Sequence, residues 1–213
     1  ADAVKFQTFR AAEFCGEGQQ FSYKSQGKTV RESMLEMFQR YEFTREQWFE
    51  IKKECDKQDI TFISTPQNQT DLDLLLELEI PAIKVGSDDL TNTPLIRRYA
   101  EEKLPLILSS GMSDLAEVYN SINIAGGFDD HPVALLLCTS QYPTPPEEVH
   151  LAKLHTLKNA LPGITIGFSD HTKGALASSL SVALGATILE KHFTLDNNLA
   201  GPDHWFSENS DGL

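Results

Sequence analysis

The sequence predicts an α/β fold: a TIM-type (β/α)8 barrel that lacks its first strand and helix and most of its last helix. Three observations predict it. Short apolar, β-rich runs alternate along the whole chain with longer stretches of helical period. The runs are apolar throughout, the pattern of a parallel sheet covered by helices rather than of a sheet with one wet face. Polar residues recur just past the C-terminal end of nearly every run, where a barrel of this class gathers its functional side chains.

Taken in order, the first run, Ala3–Phe6, has no helix before it, so the chain is expected to enter the barrel at its second strand. Glu13–Val30 then reads as a long polar insertion between that strand and its helix, Arg45–Lys57. The runs Ile60–Ser64, Ala82–Val85, Leu106–Leu108, Val133–Leu137, Ile164–Ile166 and Thr187–Leu189 follow as strands. Between them Asp71–Leu78, Thr93–Lys103, Asp114–Ile124, Pro146–Ala160 and Gly174–Leu184 carry helical period. Ser207–Leu213 reads as the opening of an eighth helix. An open doubly wound sheet would call for a glycine-rich nucleotide fingerprint, which is missing. With no linker or low-complexity tract, residues 1–213 are assigned to one domain.

Composition narrows the function. At 40% hydrophobic and 23% charged residues the chain is an ordinary globular one. No apolar run approaches the roughly 20 residues of a membrane-spanning helix, and the start lacks the layout of a signal peptide. Three cysteines without CxxC spacing suggest reduced thiols and a cytoplasmic setting. The net charge of −13 excludes nucleic acid as the expected partner, because such a chain repels polyanions. A small phosphate ligand would need a local cluster of donors that outweighs this field.

Two constellations meet such requirements. In Gly167-Phe168-Ser169-Asp170-His171-Thr172 and Glu190-Lys191-His192-Phe193-Thr194, each histidine ends a strand, and the strands are consecutive. His171 and His192 should therefore face one mouth, and two neutral imidazoles suit a divalent metal. Asp170 either orients an imidazole or caps the next helix. The second constellation is Ile83-Lys84-Val85-Gly86-Ser87 with Ser109-Ser110-Gly111-Met112. Here Lys84, flanked by outward-facing Ile83 and Val85, supplies a charge inside the barrel. Ser87, Ser109 and the opened backbone supply oriented hydrogen bonds to an anion.

These residues carry a resemblance. Ala3-Val4-Lys5-Phe6-Gln7-Thr8-Phe9, Lys84-Val85-Gly86-Ser87, Leu108-Ser109-Ser110-Gly111-Met112, Cys138-Thr139-Ser140-Gln141-Tyr142-Pro143, the two histidine motifs and Gly201-Pro202-Asp203-His204 occur in order over the whole chain. Together they resemble the sialic acid synthase (N-acetylneuraminate synthase) family with its legionaminic and pseudaminic acid synthase branches. The resemblance implies condensation of phosphoenolpyruvate with an N-acylated amino sugar on a TIM barrel, using Mn2+ or Mg2+, in a homodimer. It implies His171 and His192 as metal ligands. Lys84, Lys5, Gln7, Ser87, Ser109 and Ser169 are implied at the phosphoenolpyruvate site, with Lys84, Gln7 and Asp89 acting in catalysis. Ser140, Tyr142 and Asp203 are implied as further substrate contacts. Three features depart from the family: the first-strand Glu and the C-terminal antifreeze-like domain are absent, and Leu137 stands where a His often precedes Cys-Thr. A metal-dependent aldolase on the same fold, or a silent barrel fragment that only binds ligand, are the competing readings.

Overall fold

The structure, a computed structural model, describes residues 1–213. Its elements run β1 (Ala3–Thr8), α1 (Ala11–Phe14), β2 (Gln20–Ser25), β3 (Lys28–Ser33), α2 (Met34–Gln39) and α3 (Arg45–Lys57). Then come β4 (Thr61–Pro66), α4 (Gln69–Glu77), β5 (Ile83–Val85), α5 (Thr93–Glu101), β6 (Leu106–Ser109) and α6 (Leu115–Ile124). The last are β7 (Val133–Cys138), α7 (Lys153–Ala160), β8 (Thr165–Asp170), α8 (Leu176–Ala183) and β9 (Leu189–Lys191). Seven strands form one sheet in the order β1-β4-β5-β6-β7-β8-β9, every neighbouring pair parallel. Each of the seven overlaps or adjoins a run that the sequence marks as a strand.

The two-residue period of a strand sorts the side chains. Ile83 and Val85, Leu106 and Leu108, Val133, Leu135 and Leu137, and Ile166 and Phe168 turn outward into a single buried cluster. There they meet Leu72 and Leu75 of α4, Ile96 and Tyr99 of α5, Val118 and Ile122 of α6, and Leu154 and Leu157 of α7. Burying each such side chain contributes about 1.5–3 kcal/mol, so this outer layer holds the sheet in shape. The residues between them, Lys84, Ser109, Cys138 and Ser169, are left for the inner face. The sheet is strongly curled. Its edge strands β1 and β9 have no strand between them, yet Lys5 Nζ of one lies 3.4 Å from Glu190 Oε2 of the other.

Helix starts follow local chemistry. Thr44 with Gln47 and Asp114 with Glu117 form capping boxes at α3 and α6. Pro94 sits in the first turn of α5, where its missing N–H costs nothing.

Three expectations are corrected. Most of the polar stretch Glu13–Val30 is structured: β2 and β3 pair antiparallel across a two-residue turn, Gln26-Gly27, with both residues at positive φ. Pro146–Ala160 is not one helix; a 3-10 turn at Pro146–Glu148 gives way to α7 after His150 adopts φ 48°. Ser207–Leu213 forms turns rather than a helix, because the Asn209 side chain accepts the backbone N–H groups of Asp211 and Gly212. The seven strands expected from the sequence are all present, in one curled parallel sheet whose edges are β1 and β9. No helix is long and apolar enough to cross a membrane.

Candidate active site

The inner face of the sheet, at the C-terminal ends of its strands, is polar. Lys84 of β5 is 2% exposed and donates to Ser109 Oγ of β6 and to its neighbour's carbonyl, Val85 O, both at 2.7 Å. Burial pulls its ammonium down to about 8, against the pull of Glu190 in the other direction. Glu190 of β9 accepts from Ser169 Oγ of β8 at 2.7 Å and lies 3.9 Å from Lys84 Nζ. Burial alone would raise this carboxyl. The Lys84 and Lys5 ammonium groups and the Ser169 hydroxyl outweigh burial and hold it well below the usual carboxylate range. Two cations, Lys84 and Lys5, are thus gathered in a chain of charge −13, against Glu190 and the more distant charge of Asp88.

Beside it the turn after β6 brings three strand ends together. Gly111 N–H donates to Ser87 Oγ at 2.9 Å. A Cβ on Gly111 would fall 2.5 Å from Ser140 Oγ, 2.8 Å from Ser87 Oγ and 3.0 Å from Cys138 Sγ. Only glycine lets these groups close on the backbone, and the hydroxyls with the nearby ammoniums make a setting for an anion with several oxygens.

The imidazoles stand next to this anion setting. His171 and His192 each follow the last residue of adjacent strands, with ring centroids 5.2 Å apart and planes at 86°. His171 is buried, and its Nδ1 donates to the Thr139 carbonyl at 2.8 Å. Burial, with His192 nearby, pulls His171 down to about 4, so it is neutral at pH 7. Tyr142 lies over it with centroids 4.1 Å apart. His192 Nδ1 is 3.3 Å from Asp203 Oδ2, and Phe206 packs on the ring at 5.4 Å.

With this geometry in place, the comparisons with known proteins decide the lineage. The model of the NeuB family matches residues 1–213. The chain belongs to the NeuB family. It is 40% identical over 207 residues to an uncharacterized protein of Methanocaldococcus jannaschii, covering 97% of this chain and 57% of that one. The N,N'-diacetyllegionaminic acid synthase of Campylobacter jejuni is 38% identical over 207 residues, which are 96% of this chain and 62% of the synthase. The crystal structure of N-acetylneuraminic acid synthetase from Leptospira borgpetersenii, in complex with citrate, superposes with a TM-score of 0.89 at 31% identity. That match covers 100% of this chain and 69% of the synthetase. The chain spans 57% to 62% of these two curated relatives.

In this NeuB-family chain, Lys5, Lys84 and Ser169 converge on Glu190, Ser109 is bonded to Lys84, Ser87 and Ser140 meet at Gly111, and Tyr142 and Asp203 join His171 and His192. Gln7 and Asp89 make no bond to these groups, although Gln7 shares the strand face of Lys5. Gln7 is exposed two residues beyond Lys5 and makes no hydrogen bond with them. Asp89 accepts from Asn92 at 3.1 Å, and burial raises its carboxyl. Its neighbour Asp88, rather than Asp89, adds its charge to that of Glu190 on Lys84 and to that of Asp203 on Tyr142. Asp170 neither orients an imidazole nor caps α8; it accepts from Thr172 N–H, Ser178 Oγ and Lys191. The group that sequence reasoning passed over is Glu190. Its signal was present: two residues before His192 on one strand, it must share the face of that histidine.

Proposed function

We propose that this chain binds phosphoenolpyruvate beside an open-chain N-acylated amino sugar and joins them into a sialic-type (nonulosonic) acid, releasing phosphate. The observation that carries the reading is the juxtaposition of the Lys84–Ser109–Glu190–Lys5 cluster with the His171–His192 pair. One half is built for a multiply charged anion and the other for a Lewis acid, which are the two demands of this reaction. The names of the Campylobacter and Leptospira relatives support it.

Lys84, Lys5 and the serine hydroxyls would hold the phosphate and carboxylate of phosphoenolpyruvate, fixing its C3 against the aldehyde carbon of the sugar. As the C3–C1 bond forms, positive charge develops at C2. The aldehyde oxygen, left as an alkoxide, takes up a proton. Water adds at C2 and gives one proton to a carboxylate. The resulting hydroxyl loses its second proton as the C2–O bond to phosphate breaks, leaving a ketone at C2 and free phosphate. The same ammoniums that bind the ground state stabilise the departing phosphate as its charge grows. Glu190 is the carboxylate bonded within the cluster, and it keeps both lysines in place.

His171 and His192 fit a divalent ion. Each Nδ1 faces an oxygen of the protein, which leaves the Nε2 lone pairs available. No group of three His, Cys, Asp or Glu side chains is gathered, so water and substrate would complete the shell. Imidazole donors suit Mn2+ better than the oxygen-seeking Mg2+. When bound, the ion supplies Lewis-acid polarisation of the sugar aldehyde. In the same reading the curled sheet is seven strands of a (β/α)8 barrel.

The test is phosphate release with phosphoenolpyruvate, Mn2+ and either N-acetylmannosamine or a diacetylated relative. Release that requires the sugar, with a nonulosonic acid as co-product, is expected. Release that ignores the sugar, or sugar turnover that ignores phosphoenolpyruvate, overturns the reading.

A further inference from the structure

Both imidazoles of the site meet an oxygen at Nδ1, and the two oxygens come from different sources. For His171 it is the Thr139 carbonyl at 2.8 Å. A carbonyl only accepts, so Nδ1 carries the proton and Nε2 the lone pair. For His192 it is a side chain, Asp203 Oδ2, which lies 3.3 Å from Nδ1 as a charge contact rather than an aligned hydrogen bond. A carboxylate this close to an unprotonated nitrogen would set lone pair against lone pair, so the neutral ring is driven into the same Nδ1–H form. We infer that Asp203 is a positioning residue for His192: it selects the tautomer that turns the Nε2 lone pair into the site. The inference rests on the metal-dependent synthase reading, and it goes beyond any contact that Asp203 makes with the sugar.

The local structure holds the backbone at Asp203 still, while its carboxylate stays half exposed. Asp203 lies in the segment after β9, and Ser207 ties back to it, Oγ and backbone N–H both donating to Asp203 O at 2.7 and 3.2 Å. Asn197 Nδ2 spans the segment, donating to the carbonyls of His204 and Ser207, both at 2.8 Å. Thr194 Oγ1 meets His204 Nδ1 at 2.8 Å. The β2–β3 hairpin braces the outside, with Gln26 Nε2 donating to Asn198 O at 2.9 Å and Ser25 Oγ accepting from Gly201 N–H at 3.1 Å. Phe206, buried at 3% exposure, closes on the His192 ring from the same segment. One carboxylate and one aromatic ring, delivered by one braced loop, thus fix both the tautomer and the plane of His192. His171 is held by a full hydrogen bond to the Thr139 carbonyl and by Tyr142.

The experiment uses the chain without metal and then with it. In the metal-free protein, long-range 1H–15N spectra of the histidine rings report the tautomer directly. His192 is expected as Nδ1–H in the wild type and as a mixture in Asp203→Ala, with His171 unchanged. Mn2+ affinity, read from the paramagnetic resonance of the free ion, should fall roughly 10- to 100-fold in Asp203→Ala, the usual cost of losing the partner that orients a ligand. Asn197→Ala, which loosens the loop without touching the ring, should weaken Mn2+ severalfold if Asp203 acts through placement. His192→Ala separates the two levels of the argument. Equal Mn2+ binding by wild type and His192→Ala would overturn the synthase metal site and the inference together. Loss in His192→Ala with an unchanged tautomer and affinity in Asp203→Ala would overturn the inference alone.

Discussion

Replacing Lys84 by Met tests the anion site at its centre. The methionine keeps the apolar stem that crosses the inner face and removes the ammonium. That ammonium has three N–H donors, two of them spent on Ser109 Oγ and Val85 O, so one is left for a ligand. A hydrogen bond to a charged group is worth about 1.5–3 kcal/mol. At about 1.4 kcal/mol per factor of ten, phosphoenolpyruvate should bind Lys84→Met about 10- to 150-fold more weakly. Calorimetric titration between pH 7 and 9.5, above the second phosphate ionisation at about 6, adds a second signature. Because burial brings Lys84 down to about 8, wild-type affinity should hold below that pH and fall above it as the ammonium loses its proton. Lys84→Met should show no such break. Glu190 raises the Lys84 ionisation, so Glu190→Gln should move the break to lower pH. An unchanged dissociation constant in Lys84→Met, with the wild-type pH profile, would refute the assignment.

Two further perturbations read other parts of the molecule. Gly111→Ala places a methyl group where Ser140 Oγ, Ser87 Oγ and Cys138 Sγ now converge. It should cut phosphoenolpyruvate affinity severalfold with little change in melting temperature, since hydroxyl rotors can move aside; unaltered affinity removes this cradle from the site. Asp71 on α4 is 2% exposed, its Oδ2 has no partner, and burial raises it to about 6 from 3.8. A carboxyl raised in the native state binds its proton more tightly there than in the unfolded chain, so it costs stability as pH rises from about 4 through 6. Asp71→Asn should abolish that slope and raise the melting temperature at pH 8, by up to about 3 kcal/mol in stability. Parallel melting curves for the two proteins from pH 4 to 8 would show that Asp71 ionises at no cost.

The strands were legible because a parallel strand with helices behind it reads as an unbroken apolar run; Val133–Cys138 is buried at all six positions. Helix α3 was legible to the residue, since the Thr44–Gln47 capping box states its start chemically. The hairpin was not. Its turn needs positive φ at both central residues, a conformation usually signalled by Asn-Gly or Asp-Gly, and here Gln26 takes the first place at φ 50°. Its apolar residues, Phe21 and Tyr23, are too few among polar neighbours to mark β2 in a polar stretch. The site divides the same way. Lys84 was legible because Ile83 and Val85 flank it, which forces it to the other face. Phe206 was not, because its part depends on how the segment after β9 folds back, and no period records that.

The two histidine motifs mix two functions that alternate residue by residue. In the sheet, Ser169 pairs with Glu190 and Asp170 with Lys191. The first pair faces inward and is joined by the Ser169–Glu190 hydrogen bond; the second faces the helices, with Lys191 Nζ 3.0 Å from Asp170 Oδ2 and donating to Thr172 O at 2.5 Å. Because the period is two, a slip of one residue between β8 and β9 would carry Glu190 and His192 outward and set Lys191 among the other two lysines. The outer ion pair opposes that slip. Its Asp170 side chain is fully buried and that of Lys191 nearly so, and losing either partner of such a pair costs about 3–5 kcal/mol. Asp170 and Lys191 therefore set the register that turns Ser169, Glu190, His171 and His192 to the inner face.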